Sequence, residues 1–229
     1  MSNAQPTVMI TGAAGHLGRA VAAAFEAQGA RLVLLDRDAG ALNKAFGHLA
    51  GATLLPADLL DRDALADAVK GVGHIDVLCH LAGGFRMGEP VHATAPATWD
   101  FLMDLNARSL LNVAAAVVSQ LVAQGAGKVV TVGAGAARQG GANMGAYAAS
   151  KSALIRLTES MSAELRDQGI NVNCVLPSII DTPDNRAGMP DADFARWVAP
   201  EALAEVIAFL ASDAARAVHG AAIPVTGRV

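Results

Sequence analysis

Tyr147 and Lys151 stand four residues apart in a stretch that reads as one long helix, so they share a face of it. A phenol beside an ammonium can give up and take back a proton near neutral pH. Far upstream, residues 11–18 read Thr-Gly-Ala-Ala-Gly-His-Leu-Gly, directly after the first apolar strand. A glycine turn that opens a helix offers free N–H groups and a positive dipole to a pyrophosphate. Alone, a Tyr-x-x-x-Lys pair is most often solvated helix surface. Behind the glycine turn, in this order, the pair implies hydride transfer with a nicotinamide cofactor.

The glycines divide the work of such a turn. Gly12 allows the sharp bend, Gly15 lets phosphate oxygens reach the backbone, and Gly18 lets the helix pack close to the sheet. His16 and Leu17 complete the turn. Asp36 ends the second strand, where a carboxylate can accept from both adenosine ribose hydroxyls and repel a 2′-phosphate. NAD is therefore favoured, and NADP stays open because the adjacent Arg37 can hold a 2′-phosphate. Asp58 and Leu59, after the third strand, are placed to meet the adenine. Ala82, Gly83 and Gly84, after the fourth, let backbone approach the cofactor ribose.

These residues need a scaffold, and the chain predicts one. Short apolar strands alternate with helices over 229 residues, near 8–11, 31–36, 53–55, 75–80, 128–132, 171–176 and 222–225. Such alternation gives a doubly wound parallel α/β sheet of about seven strands with helices on both faces, a Rossmann fold, here as one domain over 1–229. The long helices fall near 98–124 and 144–168. The one long irregular stretch, 177–198, follows the sixth strand and so lies at the carboxyl edge, where ligands bind. It is the expected substrate loop.

Apolar residues make up 53% of the chain and charged ones 17%, which suits helices packed on a buried sheet. With a net charge of −4 and no basic cluster, nothing points to nucleic acid or an anionic membrane. No apolar run reads as long enough to span a bilayer. The first residues, Met1 to Pro6, lack the basic start and apolar core of a secretion signal and read as a cloning remnant. Cys79 and Cys174 each sit in an apolar run, which predicts buried strand thiols in a reducing compartment and a cytoplasmic protein. Neither has the clustered histidines of a metal site.

Together these residues resemble the short-chain dehydrogenase/reductase family over nearly the whole chain. The resemblance implies that Tyr147 is the proton donor and that Lys151 binds the nicotinamide ribose and lowers the tyrosine pKa. It implies that Asn106 helps hold a water linking Lys151 to solvent. Pro177 through Thr182 match the family's carboxamide-binding segment, with the Ile180 backbone and Thr182 as the contacts. Family members pair through their long helices, so the two here predict a homodimer or homotetramer. Two departures stand out. The glycines are spaced Gly-x-x-Gly-x-x-Gly, not Gly-x-x-x-Gly-x-Gly. The family's catalytic serine, 13 residues before the tyrosine, is Ala134.

Both departures, with the runs at 82–85, 133–137 and above all 181–197, resemble the quinoid dihydropteridine reductase branch. A quinonoid dihydropterin accepts hydride readily and needs less help from a serine. Phe85 is placed to stack on such a flat ring. Asn143, one helical turn before Tyr147, or Gln139 is placed to substitute for the serine. Arg186 either binds an anionic substrate group or sits in a surface ion pair, and His80 ends a strand where it can position backbone. Three functions follow. The first is NADH-dependent reduction of a quinonoid pteridine or similar conjugated acceptor. The second is ordinary carbonyl/alcohol oxidoreduction of a small molecule with a substitute for the serine. The third is a non-catalytic NAD-binding sensor or scaffold.

Overall fold

The computed structural model describes residues 5–229. Met1 to Ala4, including most of the N-terminal stretch read as a remnant, lie outside the described residues. Seven strands form one parallel sheet: β1 (Thr7–Thr11), β2 (Arg31–Asp36), β3 (Thr53–Pro56), β4 (Val77–His80), β5 (Gly127–Val132), β6 (Ile170–Pro177) and β7 (Ala222–Val225). Their order is β3-β2-β1-β4-β5-β6-β7. The order reverses between β1 and β4, which opens a crevice at the carboxyl ends of those two strands. Every pairing is parallel, so each strand is linked by a crossover and both sheet faces are covered.

The strand residues sort by parity. Val8, Ile10, Leu32, Leu34, Val77, Cys79 and Val130 face one cluster, with α1 (His16–Ala27), α2 (Ala39–Phe46) and α8 (Pro200–Leu210). Met9, Val33, Leu35, Leu78 and Val129 face the other, with α3 (Arg62–Lys70) and α5 (Ser109–Gln124). A period of two on strands buried on both faces makes them read as continuous apolar runs. Both cysteines are buried and free, as expected. Asp38 and Asp61 cap α2 and α3 by accepting from Ala41 N and Ala64 N.

The predicted helix at 98–124 is not uniform. It runs as α4 (Pro96–Met103), a π-turn at Asp104–Arg108 and then α5. By length and composition the run Pro96–Gln124 is apolar enough to cross a membrane, contrary to the expectation that no run is. Only 44% of its apolar window is buried, yet that share packs on α3, α6 (Gly145–Leu165), β4 and β5. The segment at 177–198 is less irregular than expected. It holds α7 (Pro183–Gly188), a 3-10 turn at Phe194–Arg196 and a bridge between Ile180 and Val198.

Candidate active site

β1, β4, β5 and β6 end in register, so Thr11, His80 and the residues after Val132 and Pro177 share one edge. Thr11 is buried there. Its Oγ1 accepts from Leu81 N (3.2 Å) and Ala82 N (3.3 Å) and lies 3.1 Å from His80 Nδ1. On the other side of the ring, Ser109 Oγ is 3.2 Å from His80 Nε2 and donates to Leu105 O (2.7 Å). With its proton spent on Leu105, Ser109 accepts from Nε2–H, which leaves Nδ1 to accept from Thr11. Burial, then the charge of Lys151, pushes the His80 pKa down to about 3, so the ring stays neutral. His80 therefore fastens the turn after β4 and is no acid or base. Thr11, Ser109 and Ser150 went unread in the sequence, since a single buried hydroxyl leaves no pattern.

The π-turn places Asn106. An extra residue in a helical turn redirects side chains, and such turns cluster at functional sites. Asn106 is fully buried. Its Oδ1 accepts from Gly84 N (2.8 Å), and its Nδ2 donates to Gly84 O (3.0 Å) and Ser150 Oγ (2.9 Å). The expected water-holding amide is thus already committed to protein partners, as a clamp on the Gly83-Gly84 turn. Ser150 in turn donates to Tyr147 O (2.9 Å), which ties the clamp to α6.

Lys151 points into the same corner. A Cβ on Gly83 would lie 2.8 Å from Lys151 Nζ and 2.9 Å from Asn106 Oδ1, so only glycine fits between these two side chains and open space. The ammonium donates to Val132 O (2.8 Å). Burial pulls its pKa down to about 8. Tyr147 departs from expectation. Burial pushes the phenol up to about 12, with no lowering from Lys151. A phenol held protonated is suited to donating a proton, and its conversion to phenolate requires a positive charge brought in beside it.

The substrate-side residues divide. Phe85 packs edge-on against Tyr147, centroids 4.8 Å apart and planes at 86°, and is otherwise exposed. Ala134 is buried and extended and offers no side-chain donor. Asn143 lines a cavity of about 170 Å³ with Tyr147, whereas Gln139 is exposed and outside its lining. Among the described residues Asn143 is the one non-glycine with positive φ, at 59°. Its carbonyl accepts from Gly88 N (2.9 Å), which joins the segment after β4 to the start of α6. Arg186 is in an ion pair: it donates to both Asp181 oxygens, at 2.6 and 2.7 Å.

The cofactor half fits a dinucleotide. Gly12 adopts φ +66°, and a Cβ there would press on Ala82 backbone at 3.0 Å. A Cβ on Gly18 would lie 2.3 Å from Gly12 O, so the helix could not seat. Gly15 caps α1 with no side-chain acceptor, which leaves the first amides beside His16 and Leu17 free. Asp36 reaches back to this turn, accepting from Ala14 N (3.1 Å) and Asp38 N (3.3 Å). Arg37 is exposed beside it. Asp58 is exposed and accepts from Leu60 N (2.9 Å), while Leu59 is buried in the core. Ile180 O accepts from Asn185 Nδ2 (2.8 Å), and Thr182 Oγ1 accepts from Asn185 N (3.3 Å). His16 and Thr182, remote in sequence, line one open cleft of about 940 Å³.

The family described as short chain dehydrogenase matches residues 6–192. The chain belongs to the short-chain dehydrogenase/reductase family. It is 31% identical to L-xylulose reductase of Bos taurus, covering 96% of this chain and 94% of that one. It is 33% identical to cis-4-hydroxycyclohexanecarboxylate dehydrogenase of Sinomonas cyclohexanicum, over 98% and 96%. The crystal structure of NAD+-bound xylitol dehydrogenase superposes with a TM-score of 0.88 at 26% identity, over 97% and 98%. These are ordinary members of this reductase family, not its dihydropteridine reductase branch, which corrects the branch reading. That reading rested on short turn and loop runs, whereas the likeness to these members extends over the whole sheet. Solved members hold NAD or NADP, and this reductase acts with such a cofactor on a small molecule.

Proposed function

We propose that this reductase interconverts a small secondary alcohol and its ketone, with NAD as the preferred cofactor. The observation that carries this is the convergence of Tyr147, Lys151 and Asn106 behind Gly83. When bound, the nicotinamide supplies or takes the hydride. Tyr147 gives its proton to the carbonyl oxygen in reduction and takes it back in oxidation. Lys151 would hold the nicotinamide ribose, and the oxidised ring would bring the positive charge that draws the phenol toward phenolate. Asn106 holds the Gly83-Gly84 turn open for the cofactor ribose. Ile180 and Thr182 meet the carboxamide, as in the family pattern. Asp36 favours NAD, since Ala14 N holds its carboxylate beside the glycine turn, where it can accept from the ribose hydroxyls and repel a 2′-phosphate. Two of the relatives, by name, act on a sugar and on a cyclic hydroxy acid, which supports an alcohol–ketone pair. Asn143 takes the place of the missing serine hydroxyl, as the amide donor in the Tyr147 cavity.

A second reading rests on Ala134 itself. A conjugated acceptor, such as a quinonoid ring, spreads the charge that hydride brings and does not need the serine. NADH oxidation measured against small ketones, sugars and a quinonoid dihydropterin separates the two. Turnover of ketones that is lost in Tyr147→Phe supports the first reading. Turnover of the pterin alone supports the second. No turnover of any acceptor, with NADH still bound, makes the protein the sensor or scaffold. We also propose a homodimer or homotetramer, supported by Trp99 and Leu111, which stand exposed on the α4–α5 run.

A further inference from the structure

The cavity beside Tyr147 carries one cation, Arg86, and its setting says what the substrate bears. Arg86 follows Phe85, whose ring touches Tyr147. Its guanidinium carbon lies over Phe101, 3.7 Å from the ring centroid. Arginine pays a large entropy cost when an exposed side chain is ordered on binding. A cation–π contact meets part of that cost in advance and leaves the N–H edge of the plane free. Among the described residues no carboxylate pairs with Arg86, so its charge is open to a ligand. Glu89 lines the same cavity and would be the obvious counter-ion. Both its oxygens are occupied elsewhere. Oε2 accepts from Ala95 N (3.0 Å) and Oε1 from Thr98 Oγ1 (3.1 Å), which folds the turn into α4.

The structure assigns Arg86 as the anchor for a carboxylate on the substrate: the alcohol–ketone pair is a small hydroxy acid and its oxo acid. The inference rests on the proposed alcohol–ketone chemistry of Tyr147 and narrows its substrate. The reaction balances as a ketone reduction. Hydride from NADH forms the new C–H bond, the Tyr147 proton forms the O–H bond, NADH becomes NAD, and the carboxylate is unchanged. The cavity is small, about 170 Å³, so the acid and the carbonyl must lie within one short chain or one ring. An arginine at the cavity wall binds a carboxylate through two parallel N–H···O bonds, which also fixes the orientation of the carbonyl toward Tyr147.

The test compares straight-chain and cyclic oxo acids with their methyl esters, in the wild type and in Arg86→Gln and Arg86→Lys. The expected result is a preference for each acid over its ester of roughly ten- to hundredfold in kcat/KM, the usual worth of a charge-assisted pair. Arg86→Gln should lower kcat/KM for the acids by a similar factor and leave the esters unchanged. Arg86→Lys should recover part of the loss. Equal use of acid and ester by the wild type would overturn the assignment. So would an Arg86→Gln variant that slows acids and esters alike, which would make Arg86 a prop for Phe101. Acid binding to the NADH complex, followed by the shift in melting temperature, gives a readout independent of turnover. A shift with oxo acids that is lost in Arg86→Gln, without turnover, would support the anchor and refute the alcohol–ketone reading. No shift and no turnover would refute the anchor.

Discussion

Ala134 and Asn143 frame the chemistry that this site must do differently. A serine at 134 would present a hydroxyl to the carbonyl oxygen as it gains charge. Losing one such donor costs roughly 100- to 1000-fold in rate. Asn143 holds the left-handed φ of 59° that asparagine tolerates better than other side chains. Glycine accepts that backbone at no cost, so Asn143→Gly removes the amide while keeping the turn. We expect kcat to fall by about tenfold or more in that variant, with NADH affinity unchanged by fluorescence titration. Ala134→Ser in the same background should recover much of the loss. A kcat for Asn143→Gly within twofold of wild type would remove Asn143 from the chemistry. Tyr147→Phe sets the floor: turnover should drop to background while cofactor binding persists. The pair Tyr147 and Lys151 was legible because a four-residue spacing is a helix signal. Arg86 was not, because one arginine in a loop has no spacing to read.

The element that decides the geometry is the π-turn between α4 and α5. A straight helix from 96 to 124 would carry Asn106 at a different angle. The extra residue was not legible beforehand, since apolar spacing fixes a helix face only to within a turn. The same limit hid the wall at 86–98, where Glu89 and Thr98 brace each other without periodicity. By contrast, the strands were legible to within two residues, because each is a short apolar run, and β1, β2 and β5 stop at Gly12, Asp36 and Gly133. Asn106→Ala removes three hydrogen bonds from a fully buried side chain and leaves the Gly84 N–H and C=O without that partner. We expect a loss of about 2–4 kcal/mol in urea unfolding. Gly83→Ala tests the opposite wall. Its added methyl meets Lys151 Nζ at 2.8 Å and the clamped Asn106 Oδ1 at 2.9 Å, so the turn must shift and both stability and NADH affinity should fall.

At the scale of the whole molecule, one connected group of buried polar side chains lies at the carboxyl edge of the sheet. Thr11, His80, Asn106, Ser150 and Lys151 are all buried there, and a second set of buried polar side chains, Thr131, Asn171 and Asn173, lies within β5 and β6. Most of these groups satisfy one another. Lys151 cannot be fully satisfied, because one carbonyl at 2.8 Å does not replace the hydration of an ammonium. Its pKa of about 8 against 10.5 when exposed measures that debt. Below pH 8 the native protein carries a buried charge at a cost of about 2–3 kcal/mol relative to the exposed group. Between pH 8 and 10.5 the unfolded chain binds more protons at this site than the native one. Stability contributed here therefore rises as pH climbs through that window. Lys151→Met should remove both the penalty and its pH dependence. The Val132 carbonyl loses its donor in exchange, at a cost of about 1 kcal/mol. The variant should thus unfold at higher urea than the wild type at pH 7, by about 1–2 kcal/mol, and lose that advantage by pH 10.5. It should also be inactive. A variant less stable than wild type at pH 7 would mean that the ammonium supports the edge, and that the site is not held against the stability of the fold.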